Sequence, residues 1–171
     1  MSLAHVALGI AYGDAQHGVH EEGGNNAGVW IRKYLSDLDP PVTSAVPWCA
    51  AAAQYWTDMA AQLVGVPNPL DAVKLEAYVQ SYADWAQANA KVVPLTDGRS
   101  GDLILFNFGG QRFDHIGIVA RAVNATTLVT CEGNTSAGVG ETDAEKQREG
   151  DGVYVKTRIV TRQPVLIVRW A

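Results

Sequence analysis

The spacing of apolar residues changes near Gly101, and this change limits the folds that the chain can adopt. Before Gly101 apolar residues recur at the three- and four-residue spacing of amphipathic helices. After it they alternate with polar residues in segments rich in valine, isoleucine and threonine. Helices followed by strands with short polar connections are typical of an α+β domain with an antiparallel sheet. The chain has 171 residues, and we expect one domain over residues 1–171.

The pattern predicts helices first and strands second. The predicted helices cover residues 2–12, 27–38, 49–64 and about 70–89, and the predicted strands cover 102–107, 115–121, 127–132, 153–158 and 165–170. The helix over 49–64 has the clearest apolar stripe, and its alanines at 50–53 would let other elements approach closely. Residues 135–152 are rich in glycine and charge, which predicts a surface loop.

Composition excludes several classes of partner. Lys and Arg number 13 against 18 Asp and Glu, which leaves a net charge of −5. An acidic domain repels phosphate backbones, so we expect no nucleic-acid partner, and it lacks a cationic surface for an anionic membrane. No apolar run is long enough to span a bilayer, and no basic residue precedes the apolar N-terminus as it would in a signal peptide. We expect a monomer.

Cys49 is a candidate nucleophile. It lies at the predicted start of the helix over 49–64, where a helix N-terminus stabilises a thiolate. Trp48, which precedes it, has no short side-chain acceptor for the first-turn N–H groups, so these groups are free to bind an oxyanion. Taken alone, however, Cys49 is more simply interpreted as the first residue of the apolar stripe. Cys131, the other cysteine, is predicted to be buried, and we expect no disulfide between the two.

His115 and Glu132 lie on consecutive predicted strands. Gly117 shares a strand face with His115 and leaves space for another group to approach the imidazole. If the strands are neighbours, Glu132 can accept a hydrogen bond from His115 and fix its tautomer. Singly, a packed histidine and a solvated glutamate are the simpler interpretations. Together with Cys49, the two residues match the order of nucleophile, base and orienting group in thiol acyl transfer.

Five segments carry a resemblance to a known family. They are Glu22–Gly28, Pro47–Cys49, Gly101–Phe106, Asp114–Val119 and Glu132–Thr135. In this order they resemble the CHAP family of cysteine, histidine-dependent amidohydrolases and peptidases, which belongs to the broad NlpC/P60-type, papain-like group. The resemblance extends from about residue 5 to residue 170.

This resemblance implies a fold and a set of site residues. The fold would be papain-like, with the nucleophile helix packed on a central antiparallel sheet. Cys49 would be the nucleophile, with its backbone N–H in the oxyanion hole, and His115 the general base. Glu132 would orient His115, and Asn134 would help to hold the site. Two weaker candidates for lining the substrate groove are Asn26 and Trp48, for which loop closure and core packing respectively are equally good interpretations.

The resemblance also implies a substrate class. Family members commonly cleave peptidoglycan, as N-acetylmuramoyl-L-alanine amidases or as endopeptidases of the stem or bridge, so the expected site of action is the bacterial cell wall. We expect no cofactor and no metal, because residues 37–44 do not reproduce the Asp-rich calcium loop of some phage members.

Three alternatives remain open. The first is a soluble amide substrate, as in relatives that resemble glutathionylspermidine amidase. The second is a catalytically silent domain that binds wall peptides or a protein, although binding alone does not require a thiol. The third is a metal site at His17, His20 and Glu21, for which a solvated loop is the simpler interpretation.

Overall fold

The computed structural model describes residues 2–137 and 150–171. Within these residues the chain forms an α+β fold with helices and one antiparallel sheet, as the apolar spacing predicts. The helices are Leu3–Gln16 (α1), Val29–Asp37 (α2), Cys49–Val64 (α3) and Val79–Ala88 (α4). The strands are Val92–Val93 (β1), Leu103–Phe106 (β2), His115–Asn124 (β3), Thr127–Thr135 (β4), Gly152–Ile159 (β5) and Val165–Val168 (β6). Their order in the sheet is β1-β6-β2-β3-β4-β5.

The predicted helix over 70–89 is wrong in its first half. A short 3-10 helix, Pro69–Ala72, is followed by irregular chain, and α4 begins only at Val79. Leu75 lies between them with a left-handed φ of +59° and a side chain that is 62% exposed, so the apolar stripe does not continue through it. Most of the loop predicted over 135–152 lies outside the described residues, and its two ends belong to β4 and β5.

Helix α3 is the centre of the core, and its small residues let the sheet approach closely. The alanines at 50–53 are all buried. A Cβ atom at Gly133 of β4 would lie only 2.7 Å from the Cβ of Ala52 and 2.9 Å from a ring carbon of Trp48. The start of α3 is therefore pressed against β4, which brings Cys49 to the sheet. None of the described helices has the length and apolar character required to cross a bilayer.

A buried carboxylate joins the first three helices. Asp14 of α1 accepts a hydrogen bond from the hydroxyl of Tyr34 on α2 at 2.8 Å and another from the indole N–H of Trp56 on α3 at 2.7 Å. Both donors are fully buried, so the bonds satisfy polar groups that would otherwise be buried without partners. These contacts fix the orientation of α3 and therefore of its first residue.

An acidic cavity of about 660 Å³ lies beside the C-terminal halves of α2 and α3. Its carboxylates belong to Asp37, Asp39, Asp58, Asp71 and Glu76. Burial and the charges of Asp37 and Asp71 raise the pKa of Asp58 to about 7, against the effect of hydrogen bonds from Asn68 and Gln54. The folded state therefore binds a proton at Asp58 more tightly than the unfolded chain does.

We expect Asp58→Asn to stabilise the fold at pH 8 and to have little effect at pH 4. The contribution of a group whose folded pKa is raised is present at low pH and is lost as the pH rises through about 7. The amide keeps the oxygen that accepts from Gln54 and Asn68. Because Asp58 is partly open to water, we expect a gain of about 1 kcal/mol at pH 8 rather than the full value of the shift.

Chemical denaturation at both pH values measures this difference. Asp84→Asn is the matched control, because Asp84 makes the same type of bond to a glutamine one turn away, at Gln80, on an exposed surface. If Asp58→Asn raises the free energy of unfolding equally at pH 4 and pH 8, the prediction is contradicted.

Candidate active site

Cys49 is the first residue of α3, and its thiol lies against the start of β3. Its Sγ atom is 4.0 Å from the carbonyl oxygen of Asp114. Trp48 occupies the N-cap position and provides no side-chain cap hydrogen bond, as its residue type predicts. The N–H groups of the first helical turn therefore have no side-chain cap from Trp48, and at a helix N-terminus such groups can stabilise a negative charge.

His115 and Glu132 meet on the adjacent strands β3 and β4. The imidazole Nε2 of His115 lies 2.8 Å from Oε2 of Glu132, and both side chains are fully buried. Gly117 pairs with Glu132 in the sheet, and a Cβ there would lie 2.5 Å from the Cγ of Glu132. The space that the sequence predicts beside His115 is thus occupied by Glu132. Since a carboxylate can only accept a hydrogen bond, Nε2 of His115 is the donor to Glu132. The other ring nitrogen, Nδ1, is left to interact with the thiol of Cys49.

The Nδ1 atom of His115 is buried and has no hydrogen-bond partner among the described residues. Burial alone would lower the pKa of His115, but contact with the thiol of Cys49 and with Glu132 outweighs it and raises this pKa to about 9. Burial opposes the ionisation of Glu132 as well. The charge of Arg158 outweighs this, with a further contribution from His115, and holds the pKa of Glu132 well below its usual range. At neutral pH the pair is therefore an imidazolium and a carboxylate.

Arg158 of β5 and Thr130 of β4 complete the surroundings of Glu132, and sequence reasoning missed both. The Nε atom of Arg158 donates to Oε1 of Glu132 at 2.8 Å, and its Nη2 atom donates to Oε2. The hydroxyl of Thr130 donates to Oε1 as well. The guanidinium lies over the rings of Phe106 and Phe108, 5.2 and 5.4 Å from their centroids. Glu132 is thus fixed from both sides, by His115 and by Arg158.

Asn134 lies near the site but contacts the backbone rather than His115. With its amide group oriented so that both polar atoms are satisfied, its oxygen accepts from the N–H of Trp48 at 3.1 Å and its nitrogen donates to the carbonyl of Gly150 at 2.8 Å. Asn134 has a φ of +53°, a conformation that asparagine adopts more readily than most residues. It ties the residue before Cys49 to the end of β4.

The expectation that Trp48 lines a substrate groove is wrong. Its side chain is fully buried, stacks on Tyr34 with 5.7 Å between ring centroids, and donates its indole N–H to Glu21 at 2.9 Å. Core packing is therefore its role. Asn26 is buried in the loop before α2 with a left-handed φ of +54°, and it does not line the cavity beside Cys49. Its conformation fits loop closure.

The histidine-rich loop does not form a metal site. The carboxylate of Glu21 is used by Trp48, and Nδ1 of His20 lies 2.6 Å from the carbonyl oxygen of Gly18. His17 is the C-cap residue of α1. Across residues 2–137 and 150–171, no group of three or more His, Cys, Asp or Glu side chains is arranged to hold a metal ion.

The two cysteines have different surroundings. Both are free thiols. Cys131 is fully buried in the core under α3, and burial raises the pKa of its thiol to about 12, so it is protonated at neutral pH. Cys49 borders a cavity and lies beside an imidazolium. Only Cys49 thus has an approach for a substrate.

The cavity beside Cys49 has a volume of about 520 Å³. Three segments form it: the chain before α3, the start of α4 and the turn before β3. Its lining residues are Val42, Ser44, Val46, Pro47, Cys49, Ala77, Tyr78, Val79, Gln80, Arg112, Phe113 and Asp114. The side-chain oxygen of Gln80 accepts from the N–H of Phe113 at 3.0 Å and joins two of these segments. Sequence reasoning identified Cys49 as the nucleophile but none of these residues as lining a groove.

One comparison with known proteins identifies a family. A family model described as "CHAP domain" matches residues 41–134, which is more than half of the chain. The matched segment contains Cys49, His115, Glu132 and Asn134, whereas Arg158 lies outside it. No curated protein and no solved structure matches the chain.

Proposed function

The chain belongs to the CHAP family, and from that premise we propose that it is a cysteine peptidoglycan hydrolase. Family membership implies amidohydrolase or peptidase activity, and CHAP domains commonly act on cell wall peptidoglycan. The proposed bond is an amide, either the one between muramic acid and L-alanine or a peptide bond of the stem or bridge. The observation that supports the chemistry is the position of Cys49, whose Sγ atom lies 4.0 Å from the carbonyl oxygen of the residue before His115, together with the hydrogen bond between His115 and Glu132.

In the first half of the reaction Cys49 acts as a thiolate. Its Sγ atom attacks the carbonyl carbon, a C–S bond forms, and the carbonyl oxygen becomes an oxyanion near the first-turn N–H groups of α3, including that of Cys49. The Nδ1–H of the His115 imidazolium then protonates the leaving nitrogen. The C–N bond breaks, the amine leaves, and a thioester remains on Cys49.

In the second half His115 acts as a base. His115 begins this half as the neutral imidazole, because its Nδ1 proton has gone to the leaving amine. Acylation of Cys49 also removes one of the interactions that raise the pKa of His115. Nδ1 takes a proton from water, the resulting hydroxide attacks the thioester, and the thiolate leaves. The imidazolium and thiolate are restored. Glu132 accepts from Nε2 throughout and keeps the ring in one orientation.

The proposal also covers the fold around the site, the domain organisation, the oligomeric state and the place of action. We assign a papain-like site on a single catalytic domain that acts as a monomer at the cell wall. The support is the position of Cys49 at a helix start packed on the sheet strands that carry His115 and Glu132. With a net charge of −5 the chain does not depend on electrostatic attraction to an anionic wall, so recognition comes from the groove or from another protein.

The kcat/KM of hydrolysis should fall above about pH 9. Glu132→Gln should move this upper limb of the pH profile to lower pH. The pKa of His115 is raised to about 9, so the proton that the leaving amine needs is present below this pH and is lost as the pH rises through it. Removing the carboxylate removes one of the two contacts that raise this pKa. The measurement is kcat/KM between pH 6 and pH 10.5, with Glu22→Gln, on an exposed loop, as the control. A limb that stays in place in Glu132→Gln would contradict the assigned role of Glu132.

A digest of purified peptidoglycan tests the proposed function. Mass spectrometry of the products should show new amino termini with the wild type and none with Cys49→Ala. Termini at L-alanine identify an amidase, and termini within the stem or bridge identify an endopeptidase. If the wild type releases nothing from walls of several chemotypes, the peptidoglycan proposal is overturned and a soluble amide becomes the better substrate class.

A further inference from the structure

The cavity beside Cys49 contains one uncompensated charge, that of Arg112. Arg112 is exposed in the turn before β3 and makes no hydrogen bond or ion pair with any described residue. The only acidic side chain among the lining residues is Asp114. Its two oxygens accept from the backbone N–H groups of Phe108 and Gly109, at 2.9 and 2.8 Å, and hold the turn rather than Arg112.

The turn that carries Arg112 is well fixed. Besides the two bonds to Asp114, the side-chain oxygen of Asn107 accepts from the N–H of Gly110 at 2.6 Å. Gln80 holds the next residue, Phe113, from the side of α4. The base of the Arg112 side chain is therefore positioned by β2, β3 and α4 together, and only the side chain itself needs to be ordered by a ligand.

The surroundings of Arg112 favour an anion with a planar pair of oxygens. Most of the other lining side chains are apolar, among them Val42, Val46, Val79 and Phe113. A guanidinium on an apolar wall pairs with a carboxylate through two parallel hydrogen bonds, and these bonds are stronger where water is partly excluded. The charge of Arg112 is positive, whereas the net charge of the whole chain is negative. The positive charge is therefore a local property of this cavity.

We propose that Arg112 binds a free carboxylate of the substrate within two or three residues of the scissile amide. The cube root of the cavity volume, 520 Å³, is about 8 Å, and an extended chain covers about 3.4 Å per residue. The substrate class is therefore a peptide or acyl-peptide amide with a carboxylate near the cleaved bond. This inference rests on the proposed function and narrows its substrate.

Three muramyl tripeptides test the inference. All contain N-acetylmuramoyl-L-alanyl-γ-D-glutamyl-L-lysine. The first keeps only the α-carboxylate of D-glutamate, the second keeps only the carboxylate of lysine, and the third carries both as carboxamides. We expect kcat/KM of the wild type to be about 10- to 100-fold higher for one of the peptides that keeps a carboxylate than for the dicarboxamide, mainly through KM. In Arg112→Gln this ratio should fall to about one, and Arg112→Lys should retain part of it.

Controls separate this inference from the proposed function. Arg121→Gln removes an exposed arginine of β3 outside the cavity and should leave the ratio unchanged. The same peptides are titrated calorimetrically into Cys49→Ala protein, with and without Arg112→Gln, so that the preference is also measured without hydrolysis. Equal hydrolysis or equal binding of all three peptides by protein with Arg112 overturns the inference while the peptidoglycan proposal stands. A binding preference without hydrolysis of the peptides or the wall supports the subsite and overturns the proposed function.

Discussion

Replacing Cys49 by alanine should reduce amide hydrolysis by at least about 1,000-fold while the fold stays intact. The reaction requires a nucleophile near His115, and Cys49 is the one of the two free thiols that borders the cavity. Loss of the nucleophile of a catalytic triad costs several orders of magnitude. Alanine fits the site sterically, because Cys49 begins a helix whose next four residues are alanine. Release of new amino termini from peptidoglycan is the measurement.

Cys131→Ala is the matched control for this variant. Its thiol is fully buried, protonated at neutral pH and not part of the cavity lining, so its removal should change stability but not the chemical step. If Cys49→Ala keeps more than a few per cent of the wild-type rate, Cys49 is not the nucleophile. The same conclusion follows if Cys131→Ala, checked for folding, abolishes activity.

Replacing Arg158 by methionine should reduce kcat/KM by about 100-fold and should also destabilise the protein. Without the guanidinium, Glu132 becomes a buried carboxylate that lacks its main stabilising charge. It then takes up a proton more readily and ceases to hold His115 as an imidazolium. Positioning groups around a reactive centre commonly contribute 10- to 100-fold. Removing one partner of a buried ion pair costs about 3–5 kcal/mol of stability.

The pH profile distinguishes positioning from a purely structural effect. In Arg158→Met the upper limb of kcat/KM should move below pH 9, because Glu132 no longer raises the pKa of His115 fully. Arg158→Lys should restore part of the rate. The double variant Arg158→Met with Glu132→Gln should recover stability, since no buried charge is left alone, but it should not recover activity. An unchanged limb in a folded Arg158→Met protein would contradict a role through Glu132.

Some elements of the fold could be predicted because local signals determine them. Helix α3 begins and ends as predicted, because its apolar stripe is continuous and Gly65 adopts the left-handed conformation that ends a helix. The helix predicted over 70–89 fails because tertiary contacts override the local pattern. Glu76 accepts from the backbone N–H of Asp39, and its own carbonyl accepts from Tyr82, which holds the segment around Leu75 in an irregular path.

In the site, too, the features set by local signals could be predicted and those set by tertiary contacts could not. His115 and Glu132 could be placed together because consecutive strands joined by a short connection usually pair. Arg158 could not be placed with them, because its contact depends on β5 pairing beside β4 after a long connection, and on a long side chain that reaches past its direct partner, Leu128. The cavity lining comes from three segments far apart in sequence, so no local pattern identifies Tyr78 or Arg112 as neighbours of Cys49.

Competitive alkylation of the two thiols tests the central claim, that contact with His115 activates Cys49. The wild-type protein is treated with limiting iodoacetamide at pH 7, and the labelled peptides are quantified by mass spectrometry over time. We expect Cys49 to react at least about 100-fold faster than Cys131, whose thiol has a pKa of about 12, and we expect His115→Ala to abolish most of this difference. Equal and slow labelling of Cys49 and Cys131 in the folded wild type would contradict an activated nucleophile.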